Sequence, residues 1–184
     1  MDWRHDVRTA AADVDEWLVP RVAAGDHPGP WQANWTATDV LGHLVAWSDL
    51  LMDEVEALQQ DRLAAIEVVD VDGWNAVEVA RRRNWTPHQM IADWRRAVQR
   101  ADAVIASLRP ETWEQRRQVA WAPEPVSVAD LLRLWLVHVT QHRQRAPGSA
   151  TAGQNENDLP PHGQGQPRDV PGAGLERDRR DLLT

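Results

Sequence analysis

Apolar residues recur along this chain at helical spacing, with intervals of three or four residues, and nowhere alternate over a strand's length. Val7, Ala11, Val14, Leu18 and Val22 form a first stripe and predict a helix over 3–22. A Gly/Pro loop, GDHPGP, closes it. Val40, Leu44, Trp47, Leu51, Val55 and Leu58 predict a second helix over 36–63. Thr36 followed by Asp39 reads as its capping box, and an acid in the first turn suits the helix dipole. Residues 74–83 predict a short helix. Thr86-Pro87-His88-Gln89 then reads as N-cap, N1 proline and N3 glutamine. It opens a helix that carries Ile91, Trp94, Val98, Ala101, Ile105 and Leu108 inward and ends at Arg109-Pro110. After a connection holding Trp113 and Trp121, Ser127 and Asp130 cap a last helix that runs to Arg145 before Pro147-Gly148. Val68 to Val71 is β-prone but too short to found a sheet. Four amphipathic helices and no convincing strand predict an all-α four-helix bundle.

The pattern stops near Ala146. Residues 146–184 are rich in Gly, Pro, Gln and charge, with few apolar residues and no period, so a disordered tail is expected after a bundle domain over 1–145.

Composition narrows the chemistry. The chain has 184 residues, no Cys and no Lys or Tyr, and its aromatic side chains are eleven Trp. Disulfides, thiolate ligands and Schiff bases are therefore excluded. Catalysis has to rest on His, Asp, Glu, Arg, Ser, Thr, a metal or a cofactor. A formal net charge of −8 disfavours nucleic acid and anionic membrane as partners. No apolar run spans a bilayer, and MDWRHDVRTA lacks the apolar core of a secretory signal, so a cytoplasmic location is expected.

The stretch LWLVHVTQHRQR places His138 and His142 four residues apart, continuing the inward stripe of Leu131 and Trp135. An i, i+4 pair on one helix face can hold one ion. His43, between Val40 and Trp47, also faces inward near the start of its own helix. Three imidazoles from two helices suit Zn²⁺, Ni²⁺ or Fe²⁺ and leave positions open for water or substrate. The competing reading is three core histidines with ordinary partners. Asp49, Asp53 and Glu54 lie beyond His43 as candidate bases or supporting groups, against a solvated helix face as the plainer account; Asp39 is explained by capping. Arg133 and Arg143 flank the pair and are candidates for holding a substrate carboxylate. His5, His27, His88 and His162 are expected outside the site. The two Asn-Trp-Thr matches, at Asn34 and Asn84, carry little meaning without a secretion signal.

NWTATDVLGHLVAWSDLL resembles the second helix of the DinB-like superfamily, where Trp-Ser/Thr-x-x-Asp/Glu-x-Leu-x-His-Leu delivers a first metal-binding His. VSVADLLRLWLVHVTQH resembles its last helix, where HxxxH delivers two more. DGWNAVEVARRRNWTPHQMIADW resembles actinobacterial members near the ClbS/DfsB group. The resemblance spans residues 3–145. It implies an up-down-down-up bundle and maps a metal triad onto His43, His138 and His142. Members of this kind include transferases and isomerases that use mycothiol or bacillithiol, the N-terminal domain of mycothiol-dependent maleylpyruvate isomerase among their relatives, and metal-dependent or ClbS/DfsB-like hydrolases. The resemblance therefore implies a divalent metal, a small-molecule substrate and a thiol cofactor, with a thiol transferase ahead of a hydrolase. A homodimer is a further expectation, although members usually extend the last helix past the point where Pro147 stops this one. The alternative from a different class is a non-enzymatic bundle that binds a small molecule or serves as structure.

Overall fold

The computed structural model describes residues 2–25, 35–62, 64, 68 and 70–146. Ala146, where the sequence pattern starts the tail, is described and buried against the core, while residues 147–184 with His162, and His27 and Asn34, lie outside the described residues. The helices are α1 (Trp3–Trp17), α2 (Val19–Ala23), α3 (Ala37–Gln59), α4 (Val71–Arg82), α5 (Pro87–Ser107) and α6 (Val128–Gln144). All three capping boxes form: Thr36 with Asp39, Thr86 with Gln89, and Ser127 with Asp130. Each satisfies two backbone or side-chain donors that the first turn leaves without helical partners.

Four departures from the expected pattern have local causes. The first helix breaks at Leu18, because Pro20 has no N–H to give and cannot sit in a helix interior. Its stripe survives the break, and Val7, Ala11, Val14, Leu18 and Val22 are all buried. The second helix stops at Gln59 rather than 63, and Asp61 follows with φ of 50°. The fourth begins at Val71 rather than Trp74, since the Asp70 carboxylate caps the Gly73 N–H, so the β-prone Val71 is helical. The fourth departure is a ladder of two residues on each side, β1 (Arg116–Arg117) with β2 (Val126–Ser127). Two-residue strands have no period to detect, and this ladder pins the α5–α6 connection to the start of α6.

Side-chain pairs give the directions of the four long helices. Arg4, at the start of α1, meets Asp102 near the end of α5, and the Trp94 indole N–H donates to Asp15. These two are antiparallel. Asp49 meets Arg96, Asp53 meets Arg100, and the Gln59 amide donates to the Ser107 carbonyl, so α3 and α5 are parallel. His43 meets His138 while Ser48 accepts from Trp135, which makes α3 and α6 antiparallel. Arg133 lies over the Trp3 ring and Arg143 pairs with Asp13, so α1 and α6 are parallel. The bundle is up-down-down-up.

Its core stacks Trp94 on Trp135 at 6.5 Å, both buried, among Leu44, Leu51, Val55, Leu131 and Leu132. α4 packs on the outer side of α3, where the Trp47 indole N–H donates to Asn75 at 2.9 Å. No helix among the described residues is long and apolar enough to cross a membrane.

Candidate metal centre

Antiparallel pairing brings the start of α3 beside the end of α6. That juxtaposition places His43 against the i, i+4 pair His138 and His142. One nitrogen from each ring lies within 4.8 Å of the other two. His43 Nε2 and His138 Nε2 are 2.9 Å apart, and the three ring centroids are separated by 4.7 to 5.0 Å. His43 and His142 are only 4% and 7% exposed, and His138 is partly buried.

Burial sets the protonation state. It pushes all three imidazoles below their usual range, His138 to about 3 and His142 to about 4. Repulsion within the cluster adds to burial for His43 and His138, and Arg145 adds to it for His138 and His142. The rings are neutral at pH 7, which is the ligand form of histidine. Two nitrogens on one tetrahedral zinc lie about 3.3 Å apart. The His43–His138 pair at 2.9 Å therefore needs to open by only a few tenths of an ångström. The donor set fits a divalent ion of the zinc, nickel or iron class. Among the described residues no acid or fourth histidine completes the group.

Tryptophans wall the cluster. Trp35 lies 5.0 Å from the His43 ring, and Trp47 lies 5.3 Å from His138. Trp74 from α4 and Trp121 from the α5–α6 connection meet Trp47 edge-on at 5.5 and 6.1 Å. His43 Nδ1 is buried with no hydrogen-bond partner, beside this aromatic surface. The sequence pattern puts Trp47 on the inward stripe of its helix and Trp121 in a connection. Trp74 and Trp121 come from segments whose position relative to α3 no periodicity reveals.

The remaining candidates separate cleanly. Asp39 caps α3. Asp49 and Asp53 face α5, where Arg96 and Arg100 hold them. Glu54 is buried on the side of α3 that carries His43 and Trp47. Arg133 is engaged by Asp130 and the Trp3 face, and Arg143 by Asp13. Arg143 lines a surface groove between α1 and α6 together with His5, Asp6, Glu16 and Thr140. His88 lines another, with Trp85 and Arg96. The three clustered histidines line neither.

No curated protein and no solved structure matches the chain. A family model does match, over residues 4–146, which takes in α1 through α6 and all three histidines. By that match and by its fold, the chain belongs to the DinB superfamily.

Proposed function

We propose that the protein is a divalent-metal-dependent enzyme, most directly a transferase that joins a small-molecule thiol such as mycothiol or bacillithiol to a small-molecule substrate. The observation that carries this reading is a cluster of three neutral imidazoles from two helices, two buried and one partly buried, with no further protein donor among the described residues. His43, His138 and His142 would hold the ion. When bound, it supplies a positive charge that lowers the pKa of a thiol at an open position. The chain has no Cys, so the thiol has to come from outside.

The surroundings favour a thiol over water as nucleophile. Activating water usually calls on a base within hydrogen-bond reach. Asp49 and Asp53 are turned to α5, and Glu54 lies about 16 Å along α3 from His43 by helical rise. The tryptophan wall contributes an apolar, water-poor surface against which an organic substrate packs.

Metal analysis of protein purified without an affinity tag tests the reading. About one equivalent of a zinc-class ion per chain is expected. His43→Ala and His142→Ala should each bring it to background with the helical circular dichroism retained. Unchanged metal content in those variants sinks the triad. In the Co²⁺-substituted protein, mycothiol or bacillithiol should shift the visible spectrum. A spectrum that ignores both thiols, with metal still bound, moves the assignment to a hydrolase.

A further inference from the structure

A metal-ligating histidine is normally oriented by a hydrogen bond from its second ring nitrogen to a carboxylate, a carbonyl or water. The triad lacks that support. Among the described residues its rings make one hydrogen bond, between His43 and His138, and that bond lies inside the cluster. His43 Nδ1 is buried with no hydrogen-bond partner. Something else has to fix the angles of these rings, because an imidazole that turns about its side-chain bonds carries its nitrogen away from the ion.

Trp47 is placed to do so. It stands one turn beyond His43 on α3, so the two side chains share a face. His138 from α6 packs against both, 4.9 Å from the His43 ring and 5.3 Å from the Trp47 ring. Among the described residues Trp47 is the one ring outside the triad that meets His138.

The Trp47 ring is itself held, by two adjacent residues of one helix. Its indole N–H donates to the Asn75 side-chain oxygen at 2.9 Å, and Trp74 meets it edge-on at 5.5 Å and 83°. Both come from the start of α4. Asp70 sets that start by capping the Gly73 N–H, at a position where a Cβ would collide with the capping carboxylate. α4 supplies no member of the triad, yet it grips the residue that two members lean on.

We infer that Trp47, locked by Asn75, is the positioning residue of the triad. The path runs from the Asn75 oxygen through the indole to the His138 ring, and it takes the place of the missing hydrogen bond. It rests on the proposed function for its effect on an ion. The ring orientation itself belongs to the metal-free protein as well.

Zn²⁺ affinity of the full chain, measured by competition with a chromophoric chelator, tests the path. Asn75→Leu keeps the size of the side chain and removes the acceptor. It should weaken Zn²⁺ about ten-fold with the helical circular dichroism retained. Asn75→Asp keeps an acceptor at the same reach and should hold the parent affinity. Trp47→Phe keeps a ring and removes the N–H, and adding Asn75→Leu to it should cost nothing further, since both changes break one bond. Co²⁺ in Asn75→Leu should show an altered visible spectrum, which a loss of stability alone would leave unchanged. Parent affinity or a parent Co²⁺ spectrum in Asn75→Leu overturns the inference. So does an equal loss in Asn75→Asp, or additive losses in the double variant. Histidine side-chain NMR of EDTA-treated protein keeps the two proposals apart. The Trp47 ring current should displace the His138 ring protons, and Asn75→Leu should move them. Unmoved signals overturn the inference whether or not metal binds. Signals that move in a protein that binds no Zn²⁺ sink the triad alone.

Discussion

The two flanks of α3 treat polar residues in opposite ways. Toward α5, Asp49, Asp53 and Glu56 meet Arg96 and Arg100 at 2.5 to 2.6 Å, in a ladder made possible because the helices run parallel. Toward α6 and α4, His43 and Glu54 are buried among tryptophans, one neutral and the other without a matched cation. The first flank is partly solvated, and pairs of that kind contribute little each while fixing register. The second sacrifices stability, since every buried polar group there costs more than an apolar residue of the same size. Groups with ready-made partners hold the bundle together. The imidazoles without them are the groups that the proposed function assigns to an ion.

Acid should separate the flanks most strongly. The unfolded chain protonates its histidines near pH 6.5, while the native cluster resists protonation far below that. The contribution of neutral burial is thus complete above about pH 6.5 and drains away as pH falls toward the depressed native values. Between pH 7 and 5 the metal-free protein should lose about 2 kcal/mol for each histidine, about 4 to 6 kcal/mol together. Urea titrations in EDTA at both pH values measure this. A His43→Leu/His138→Leu variant should lose far less; an equal loss would place the acid sensitivity on the other flank.

A satisfied contact on the α6 side should cost less to remove. Trp135 Nε1 donates to Ser48 Oγ at 2.7 Å in the buried seam. Trp135→Phe removes the donor to that hydroxyl, which keeps its own bond to the Leu44 carbonyl, and should lower stability by about 1–2 kcal/mol. No change on chemical denaturation would mean that buried polar contacts there are worth no more than surface ones. Arg100→Met, on the α5 side, should cost about 1 kcal/mol and lose half of that effect in 0.5 M salt. Salt-independent destabilisation would show that packing of the Arg100 stem, rather than charge, is what matters. Arg133→Ala should move stability by less than about 0.5 kcal/mol, because the side chain is exposed. Weakened binding of a substrate carboxylate in that variant would return Arg133 to the site.

These contrasts also explain what the sequence could reveal. His138 and His142 were legible because i, i+4 on an inward stripe admits few geometries, and His43 because it shares a stripe with Val40 and Trp47. The family pattern joined them; spacing alone left two isolated observations. Glu54 stood beside Asp49 and Asp53 as one of three candidates, with nothing to rank it apart from them. α3 is buried on nearly every side, so its stripe has no clear edge, and only the placement of α4 and Trp121 shows which acid is enclosed. Arg133 and Arg143 were drawn to the histidines by proximity along the helix, whereas their partners Asp130, Trp3 and Asp13 lie on other faces. The break at Leu18 was visible in Pro20 and yielded to a continuous stripe.

The up-down-down-up path carries a consequence for the order of synthesis. His43 and His138 are separated by 95 residues. The tie between Arg4 and Asp102 spans 98. Chains in which distant segments must meet fold more slowly than those built from adjacent hairpins, and nascent domains close as units during translation. On the ribosome, α3 emerges with one imidazole and waits for most of a bundle to follow. If the three histidines hold an ion as proposed, a centre divided this way cannot load until α6 has docked, and ion capture would be the final step of maturation and a mark that the bundle has closed.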